Sequence, residues 1–320
     1  MKLVTVSAHS RLHITLIDTG IATARVFGGA GFAIAGADVV IEAFTQKRLI
    51  VENIAGVDQS FVEAVATVAR TAAGRRAVGI RILSAPPQHV GFGTKTSGLL
   101  GAALATRAAL GLSHETADLQ ALTGRGGASG IGINSFFVGG LIVDGGHKRA
   151  GQDPLPSSAV TPIGVPPVFS RCDIPPEWRI MLVLAKGIHR SGEREKLFFR
   201  ANTPVPKSEV LITLAAVYHG VLPAVVERSI DGLASALAII HSCGFKQREL
   251  KSQTPNIQTL YSQLSAIRGC AVGMSSMGPL LYVVGDAGTP WSDVTAVATE
   301  ADAQIVLSSG ANDSYAITYS

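Results

Sequence analysis

The chain contains few cysteines, few aromatic residues and few charged residues. Three isolated cysteines, Cys172, Cys243 and Cys270, among 320 residues indicate neither a disulfide framework nor a metal knuckle. The sequence has no run of about 18 uninterrupted apolar residues that would predict a membrane span, and its N-terminus lacks the hydrophobic block of a signal peptide. We therefore expect a cytoplasmic protein without a membrane partner.

Charge is sparse and mixed in sign. Charged residues make up 16% of the chain, and the formal net charge is +4. Lysine and arginine are dispersed, without the basic stripe and interleaved aromatics of a nucleic-acid-binding protein, so we expect no nucleic-acid partner. A mildly positive surface suits small anionic substrates. The apolar fraction of 47% excludes disorder, and the length leaves room for two domains with a proper core.

The segment Pro87–Gly101, with the sequence PQHVGFGTKTSGLLG, places glycines and hydroxyls around one lysine. A helix predicted over Leu99–Leu112 follows directly. Glycine lets a backbone approach a ligand closely, and a helix N-terminus presents unpaired N–H groups. The segment therefore predicts a cradle for phosphate or diphosphate, although it is neither a Walker A loop nor a dinucleotide fingerprint. An ordinary glycine-rich turn between a strand and a helix is the alternative.

Polar residues interrupt the N-terminal strand predicted over Lys2–Ile17, which contains the sequence SRLHITLID. Arg11 and His13 share one face if this strand is regular, and Asp18 follows its end. These three side chains are candidates for binding or catalysis. A strand with polar edges and a structural histidine is the alternative.

Two further glycine-rich segments follow. In Gly124–His147, the guanidinium of Arg125 can present a fork to phosphate, and Asp144 can hold a hydroxyl or a cation. A simple hairpin turn is the alternative for the end of this segment. Gly273–Pro279, with the sequence GMSSMGP, is a loop of small residues.

The predicted elements favour an α+β protein with two domains, because strands and helices alternate irregularly in two halves. They include a strand over Asn134–Val143 and a long helix over Pro223–Ser242. We predict a first domain over residues 1–165, which contains the glycine-rich phosphate loop, and a second domain over residues 166–320.

In this order, the segments resemble the GHMP kinase superfamily: an N-terminal strand pair, a P-x-x-x-G-[LF]-G-[ST] loop, an S-G turn and a C-terminal glycine/serine loop. Its kinases generally have an aspartate two residues after the S-G turn as catalytic base, where this chain has Gly132. The closer resemblance is to the β-ribofuranosylaminobenzene 5'-phosphate synthases, a branch without kinase activity. It rests on SRLHITLID with a following GGAG, on HVGFG, on GRG…SGIG…VDGGH, and on GIHRSGERE followed by GVLPAVVE.

This resemblance implies an α+β, two-domain GHMP kinase-like fold, with a ribosomal-protein-type N-terminal domain and a ferredoxin-like C-terminal domain. It also implies a pentosyltransferase that joins phosphoribosyl pyrophosphate to 4-aminobenzoate and releases CO2 and pyrophosphate, for tetrahydromethanopterin synthesis. We expect Mg2+ but no organic cofactor, and a homodimer. The alternatives are a small-molecule kinase of the superfamily, which would use ATP, and a synthase of C-nucleosides that uses another aromatic carboxylate.

The same resemblance, together with the residue types, gives the candidate site. The residues expected in catalysis are Arg11, His13, Asp18 and Asp144. Those expected to bind substrate or phosphate are Gly91, Gly93, Thr94, Lys95, Thr96, Ser97, Arg125, Ser129, Lys186, Arg190, Ser275 and Ser276. No metal ligand is assigned. Lys95, Met274 and Met277 depart from the usual motifs of these synthases, so the aromatic carboxylate that accepts the ribosyl group could differ in this chain.

Overall fold

The computed structural model describes residues 2–19, 22–149 and 164–320. The strands are β1 (Leu3–Asp18), β2 (Arg25–Thr45), β3 (Ile50–Asn53), β4 (Val78–Ser84), β5 (Leu141–Asp144), β6 (His147–Lys148), β7 (Val168–Cys172), β8 (Arg179–Leu184), β9 (Ala271–Met274), β10 (Leu281–Gly285), β11 (Gln304–Gly310) and β12 (Ala316–Tyr319). The helices are α1 (Gln59–Ala73), α2 (Thr94–Ala109), α3 (Thr116–Thr123), α4 (Ile131–Val138), α5 (Glu193–Asn202), α6 (Lys207–Ala216), α7 (Leu222–Val226), α8 (Ile230–Ser242), α9 (Gly244–Lys251), α10 (Pro255–Ser265) and α11 (Trp291–Glu300), with a π-helical turn at Val217–Val221 between α6 and α7.

The long antiparallel pair β1 and β2 forms the centre of the molecule. Residues Leu3–Ser10 alternate between partly buried and buried positions, as expected of a strand with one face on a core. The remainder of β1 is buried on both faces, apart from the partly buried Arg11. The pairing of β1 with β2 shifts register between Ala8 and Ser10 and again between His13 and Thr15, so a bulge lies on either side of Arg11. Bulges bend a strand and redirect its side chains, so Arg11 and His13 lie where β1 departs from regular geometry.

One sheet joins both halves of the chain, with its main path in the order β12-β1-β2-β11-β8-β10-β9. Strands from the second half therefore complete the sheet of the first: β12 pairs with β1, β11 with β2, and β7 with β5. Buried apolar clusters lie where α1 and α2 cover β1, β2 and β4, where α6, α7 and α8 cover the inner half of the β1–β2 pair, and where α10 and α11 cover β8, β9 and β10. The division at residues 165 and 166 stays a prediction.

Three predicted elements differ from the structure. Helix α2 begins at Thr94, earlier than the predicted Leu99, because Gly93 adopts a left-handed conformation with φ of 76° and starts the helix there. The strand predicted over Asn134–Val143 is wrong. Helix α4 occupies Ile131–Val138, and only the last residues of the predicted range belong to β5. An apolar run such as INSFFV has no periodicity that separates a helix from a buried strand.

The long helix predicted over Pro223–Ser242 is interrupted. Arg228 has φ of 59°, and the Ser229 side chain accepts a hydrogen bond from the Gly232 N–H to start α8. A serine N-cap in the middle of an apolar-periodic run was the available signal for this break.

One described stretch, Lys207–Val226, has the length and composition of a helix that could cross a membrane. It corresponds to α6, the π-helical turn and α7. Val210, Val217 and Val221 from this stretch are buried in the apolar cluster against the β1–β2 pair. A core helix passes the same test of length and composition, so the expectation of no membrane partner stays a prediction.

Close packing of β1 against β2 leaves no room for a side chain at Gly31. A Cβ atom there would lie 2.5 Å from the Leu12 carbonyl oxygen and 2.6 Å from Ile131 Cγ2. Because a backbone atom cannot move aside cheaply, we expect Gly31→Ala to lower the free energy of unfolding by about 1–3 kcal/mol. In the matched control Gly101→Ala, the new methyl group meets ordinary contacts of 3.5 Å or more, so stability should hold or rise. Urea midpoints at unchanged slope would measure both, and equal midpoints for the two variants would contradict the prediction.

Candidate active site

The glycine-rich loop before α2 packs directly onto β1 and onto the loop after β9. Gly91 and Gly93 have φ of 129° and 76°. A Cβ atom on Gly91 would lie 2.8 Å from the Ser275 carbonyl oxygen, and one on Gly93 would lie 3.0 Å from the Arg11 side chain. Arg11 Nη1 and Ser275 Oγ both donate to the Gly91 carbonyl, at 2.6 and 2.7 Å. The glycines are therefore needed both for backbone conformation and for space.

Cations converge on the first turn of α2. Arg125 Nε donates to Thr96 Oγ1 at 3.1 Å, and Lys95 lies on the neighbouring position of the same turn. Burial and the charge of Arg125 lower the pKa of Arg11 to about 10, and desolvation with the same neighbour lowers the pKa of Lys95. Like charges held together at a helix N-terminus favour an anion between them.

An outer cavity of about 430 Å³ opens on this turn. Its cationic side chains are Arg11, Lys95, Arg125 and Arg190. The imidazole of His89 also lines it, with a pKa that burial and the charge of Lys95 lower. Arg190 is fixed by a hydrogen bond of 2.7 Å from Nη2 to the Ser252 carbonyl and by its position over the Phe198 ring. Gly91, Gly93, Thr94, Thr96 and Ser276 also line this cavity. The segment predicted to bind phosphate thus lines an open cavity with several basic side chains at the N-terminus of α2, and phosphate binding there stays a prediction.

A smaller inner cavity of about 120 Å³ continues from the outer one and shares Arg11, Thr96 and Arg125 with it. Its apolar wall includes Leu16, Ile133, Phe199 and Met277. Its other polar side chains are His13, Ser129, Glu195, Glu249 and Ser276. The inner cavity is therefore smaller than the outer one, and it combines this apolar wall with polar side chains and two carboxylates, of which Glu249 lines the inner cavity alone.

His13 is buried at the wall of the inner cavity. Its Nε2 lies 3.0 Å from Ser129 Oγ, and its backbone N–H donates to Ser275 Oγ at 3.0 Å. In the described part of the chain, Nδ1 has no hydrogen-bond partner. Burial, Arg11 and Lys246 hold the pKa of His13 well below its usual value, so the imidazole is neutral.

A buried ion pair on α9 lies beneath the loop that follows β9. Lys246 Nζ lies 2.5 Å from Glu249 Oε2 and donates to the carbonyls of Ser276 at 2.7 Å and Met274 at 3.2 Å. Burial lowers the pKa of Lys246 and raises that of Glu249. The pair fixes the loop to the helix and leaves Glu249 at the inner cavity.

The two predicted catalytic aspartates do not line either cavity. Asp18 accepts hydrogen bonds from the Thr23 N–H at 2.9 Å and the Thr23 hydroxyl at 3.0 Å, which holds the chain after β1. Asp144 is buried and accepts from the Gly146 N–H at 2.8 Å. Burial raises its pKa to about 7, against the opposing effect of the Gly146 and Gly130 N–H groups. Its observed contacts hold the turn that follows β5, and a catalytic role for either aspartate stays a prediction.

Three predicted binding residues also lie outside the cavities. Ser97 is buried and donates to the His9 carbonyl at 3.0 Å. Ser275 is buried behind the glycine loop, where its contacts brace His13 and Gly91. Lys186 is 93% exposed and lies 3.6 Å from Asp302 on the surface. The structure therefore brings the other predicted binding residues together with Arg11 and His13 around the two cavities, but not these three residues or the two aspartates.

Several residues that line the cavities have no role predicted from the sequence. Glu195 follows Arg190 in the motif GIHRSGERE, and this motif was the available signal for it. His89 precedes the cradle in PQHVGFG and offered a weaker signal. Glu249 gave none, because a Lys–Glu pair at i and i+3 usually marks a solvated helix face. No group of three or more metal-ligating side chains occurs among the described residues.

Comparison with known proteins places the chain among synthases. A β-ribofuranosylphenol 5'-phosphate synthase from Archaeoglobus fulgidus is 33% identical over 282 residues, 87% of this chain and 86% of the relative. One of the same name from Methanocaldococcus jannaschii is 32% identical over 292 residues, with coverage of 87% and 88%. The chain belongs to this synthase family. It is an enzyme of the pentosyltransferase type, which confirms the predicted branch. No protein-family model matches the chain.

Solved structures confirm the GHMP kinase-like, α+β fold. Phosphomevalonate kinase from Streptococcus pneumoniae superposes with a TM-score of 0.70 at 10% identity, covering 97% of this chain and 100% of that structure. Homoserine kinase from Cytophaga hutchinsonii gives 0.68 at 11% identity, covering 99% and 97%. At such low identity these similarities concern the fold alone.

Removal of Lys246 tests the buried pair. Lys246→Met would leave Glu249 buried without its cation, and we expect a loss of about 3–5 kcal/mol in the free energy of unfolding. The double variant K246M/E249Q removes both charges and should recover most of this loss. Guanidinium unfolding of the parent and both variants measures it. Equal stability of parent and single variant would contradict the assigned pairing.

Proposed function

We propose that this enzyme transfers the ribosyl 5'-phosphate unit of phosphoribosyl pyrophosphate to a ring carbon of a para-substituted benzoate, with release of CO2 and pyrophosphate. Membership of the synthase family and the chemistry of the two cavities support this proposal. The motifs favour 4-aminobenzoate as acceptor. The relatives are named for a phenol product, which favours 4-hydroxybenzoate.

The observation that carries the proposal is the position of Gly132. The kinases of this superfamily generally place their catalytic aspartate there. In this chain the position lines the inner cavity without a side chain, and a Cβ atom would lie 3.2 Å from Thr96 Cγ2. The site thus keeps a phosphate cradle but lacks that base for a sugar or alcohol hydroxyl. A cradle without this base suits a reaction in which the diphosphate is the leaving group.

The outer cavity suits the donor. Loss of pyrophosphate leaves an oxocarbenium-like sugar, so the site must stabilise charge on the departing diphosphate. Lys95, Arg125 and the N–H groups at the start of α2 provide preorganised donors for this group. Arg190 and His89 on another part of the cavity wall suit the 5'-phosphate.

Glu195 is the residue that fits a magnesium ion brought by the donor. Mg2+ is commonly bound by one or two carboxylates together with substrate phosphates and water. Glu195 lines both cavities, and its charge acts on Lys95 and Arg125 beside the cradle. When bound, the ion would supply further neutralisation of the diphosphate charge. The magnesium requirement is part of the proposal.

The inner cavity suits the acceptor ring. Phe199, Met277 and Leu16 provide apolar surface for an arene, and Arg11 at the junction of the cavities can pair with the carboxylate. The carbon that bears the carboxylate then faces the sugar and attacks its anomeric carbon. Departure of CO2 restores the aromatic ring. The resemblance further suggests a cytoplasmic homodimer whose product enters tetrahydromethanopterin synthesis.

Labelled substrate tests this function directly. Purified protein is incubated with phosphoribosyl pyrophosphate, Mg2+ and carboxyl-labelled 4-hydroxybenzoate or 4-aminobenzoate. We expect labelled CO2 and pyrophosphate in equal amounts. Pyrophosphate release with other aromatic acids alone would indicate a C-nucleoside synthase. No CO2 release from any acid, with stabilisation by ATP and Mg2+ in a thermal-shift assay, would overturn the proposal in favour of a kinase.

Lys95→Met tests the donor site. A charge-assisted hydrogen bond to phosphate contributes about 1.5–3 kcal/mol, so kcat/KM for phosphoribosyl pyrophosphate should fall roughly 10- to 100-fold. The KM of the acceptor should stay unchanged, because Lys95 lines only the outer of the two cavities. The exposed Lys207 offers a matched Lys→Met control that should keep parent values. A shift in acceptor KM alone would contradict the assignment of the cavities.

A further inference from the structure

Glu249 occupies a position for which the donor has no use. Glu249 is 3% exposed, and it lines the inner cavity but not the outer one. Helix α9 places it there, and Lys246, which is anchored to the carbonyls of Met274 and Ser276, holds the carboxylate in place. A buried carboxylate at this end of the site would repel phosphate, so the substrate group that suits it is one that carries a proton.

We propose that Glu249 accepts the proton of the acceptor's para-hydroxyl group, and thereby selects and activates the acceptor. This inference rests on the proposed decarboxylative ribosyl transfer. It adds a proton acceptor on α9, whereas the kinases of the superfamily have their base at the position of Gly132 on α4.

The arrangement of charge along the site orients the ring. Arg11 and Arg125 line both cavities and so lie where the acceptor's carboxylate and the donor meet. The para substituent lies at the opposite end of a benzene ring from the carboxylate. With the carboxylate at the arginines, the para substituent therefore points into the inner cavity, where Glu249 is located.

Other polar groups of the inner cavity suit this role less well. The neutral imidazole of His13 is a weak base, because burial and nearby cations hold its pKa well below its usual value. Glu195 also lines the outer cavity, among the cations assigned to diphosphate. For Glu249, burial raises the pKa, although Lys246 on its own helix, Arg11 on β1 and Arg190 before α5 oppose the shift. A raised pKa makes a carboxylate a better proton acceptor.

The proton transfer balances within the proposed reaction. As the ring carbon forms its bond to the anomeric carbon, the bond between the anomeric carbon and the diphosphate oxygen breaks. The para O–H bond breaks at the same stage, and its proton moves to a Glu249 oxygen, which converts the ring to a cyclohexadienone. The bond to the carboxylate then breaks, its electron pair restores the aromatic ring, and CO2 leaves. The phenolate oxygen recovers the proton from Glu249.

The acceptor preference of Glu249→Gln tests this role. We expect kcat with 4-hydroxybenzoate to fall about 100-fold, in the range of general-base contributions. The loss with 4-aminobenzoate should be smaller, because an amine can donate its electron pair without losing a proton. The KM of phosphoribosyl pyrophosphate should stay at the parent value. Glu193→Gln is the matched control, since Glu193 is exposed and pairs with Lys196. An unchanged ratio of rates with the two acids would overturn the inference.

A second variant and a further substrate keep the inference testable if Glu249→Gln does not fold. K246M/E249Q removes both buried charges and should show the same selective loss with 4-hydroxybenzoate. The parent enzyme should release little CO2 from 4-methoxybenzoate, which has no para proton. Equal rates with the methoxy and hydroxy acids would overturn the inference even if neither variant folds. Absence of CO2 release from every acid in the parent would instead overturn the proposed function, so the two failures are distinguishable.

Discussion

The close approach of three backbone segments around β1 underlies the whole site. The Arg11 N–H donates to the Phe92 carbonyl in the glycine loop at 3.0 Å, and the Ser276 N–H donates to the His13 carbonyl at 3.0 Å. The glycine loop and the C-terminal loop are themselves joined by the Leu280 N–H and the Val90 carbonyl at 2.9 Å. Residues far apart in the chain therefore share one rigid frame. Without Gly91 and Gly93 the segments could not come this close.

This frame explains the order of charge in the site. The glycine loop and β1 present cations at the N-terminus of α2, whereas α9 presents a carboxylate at the inner cavity alone. Because both sets are attached to the same strand, their separation is fixed before any substrate binds. This arrangement favours one orientation of a substrate pair that has phosphates at one end and a proton donor at the other. Preorganisation of this kind avoids reorganisation during the reaction.

The features of the site that depend on local chemistry could be predicted from the sequence. Gly93 and Arg125 could be predicted because a left-handed glycine before a helix and an arginine among glycines have local signatures. Glu249 could not, because its burial depends on packing against a loop that follows it by about 25 residues and on a strand at the other end of the chain. The surroundings of Asp144 could not be predicted either, because only the fold shows that its carboxylate accepts a hydrogen bond from the turn after β5.

The change from a kinase-like site to this one follows from the nature of the nucleophile. In a kinase the attacking atom is a hydroxyl oxygen, so the base must lie beside the transferred group, where the superfamily has an aspartate and this chain has Gly132. In ribosyl transfer to a ring carbon, the attacking atom carries no proton. The proton that must move is on the para substituent, across the ring from the new bond. A base is then of use at the far end of the acceptor, and α9 places Glu249 at the inner cavity, where we propose that this end lies.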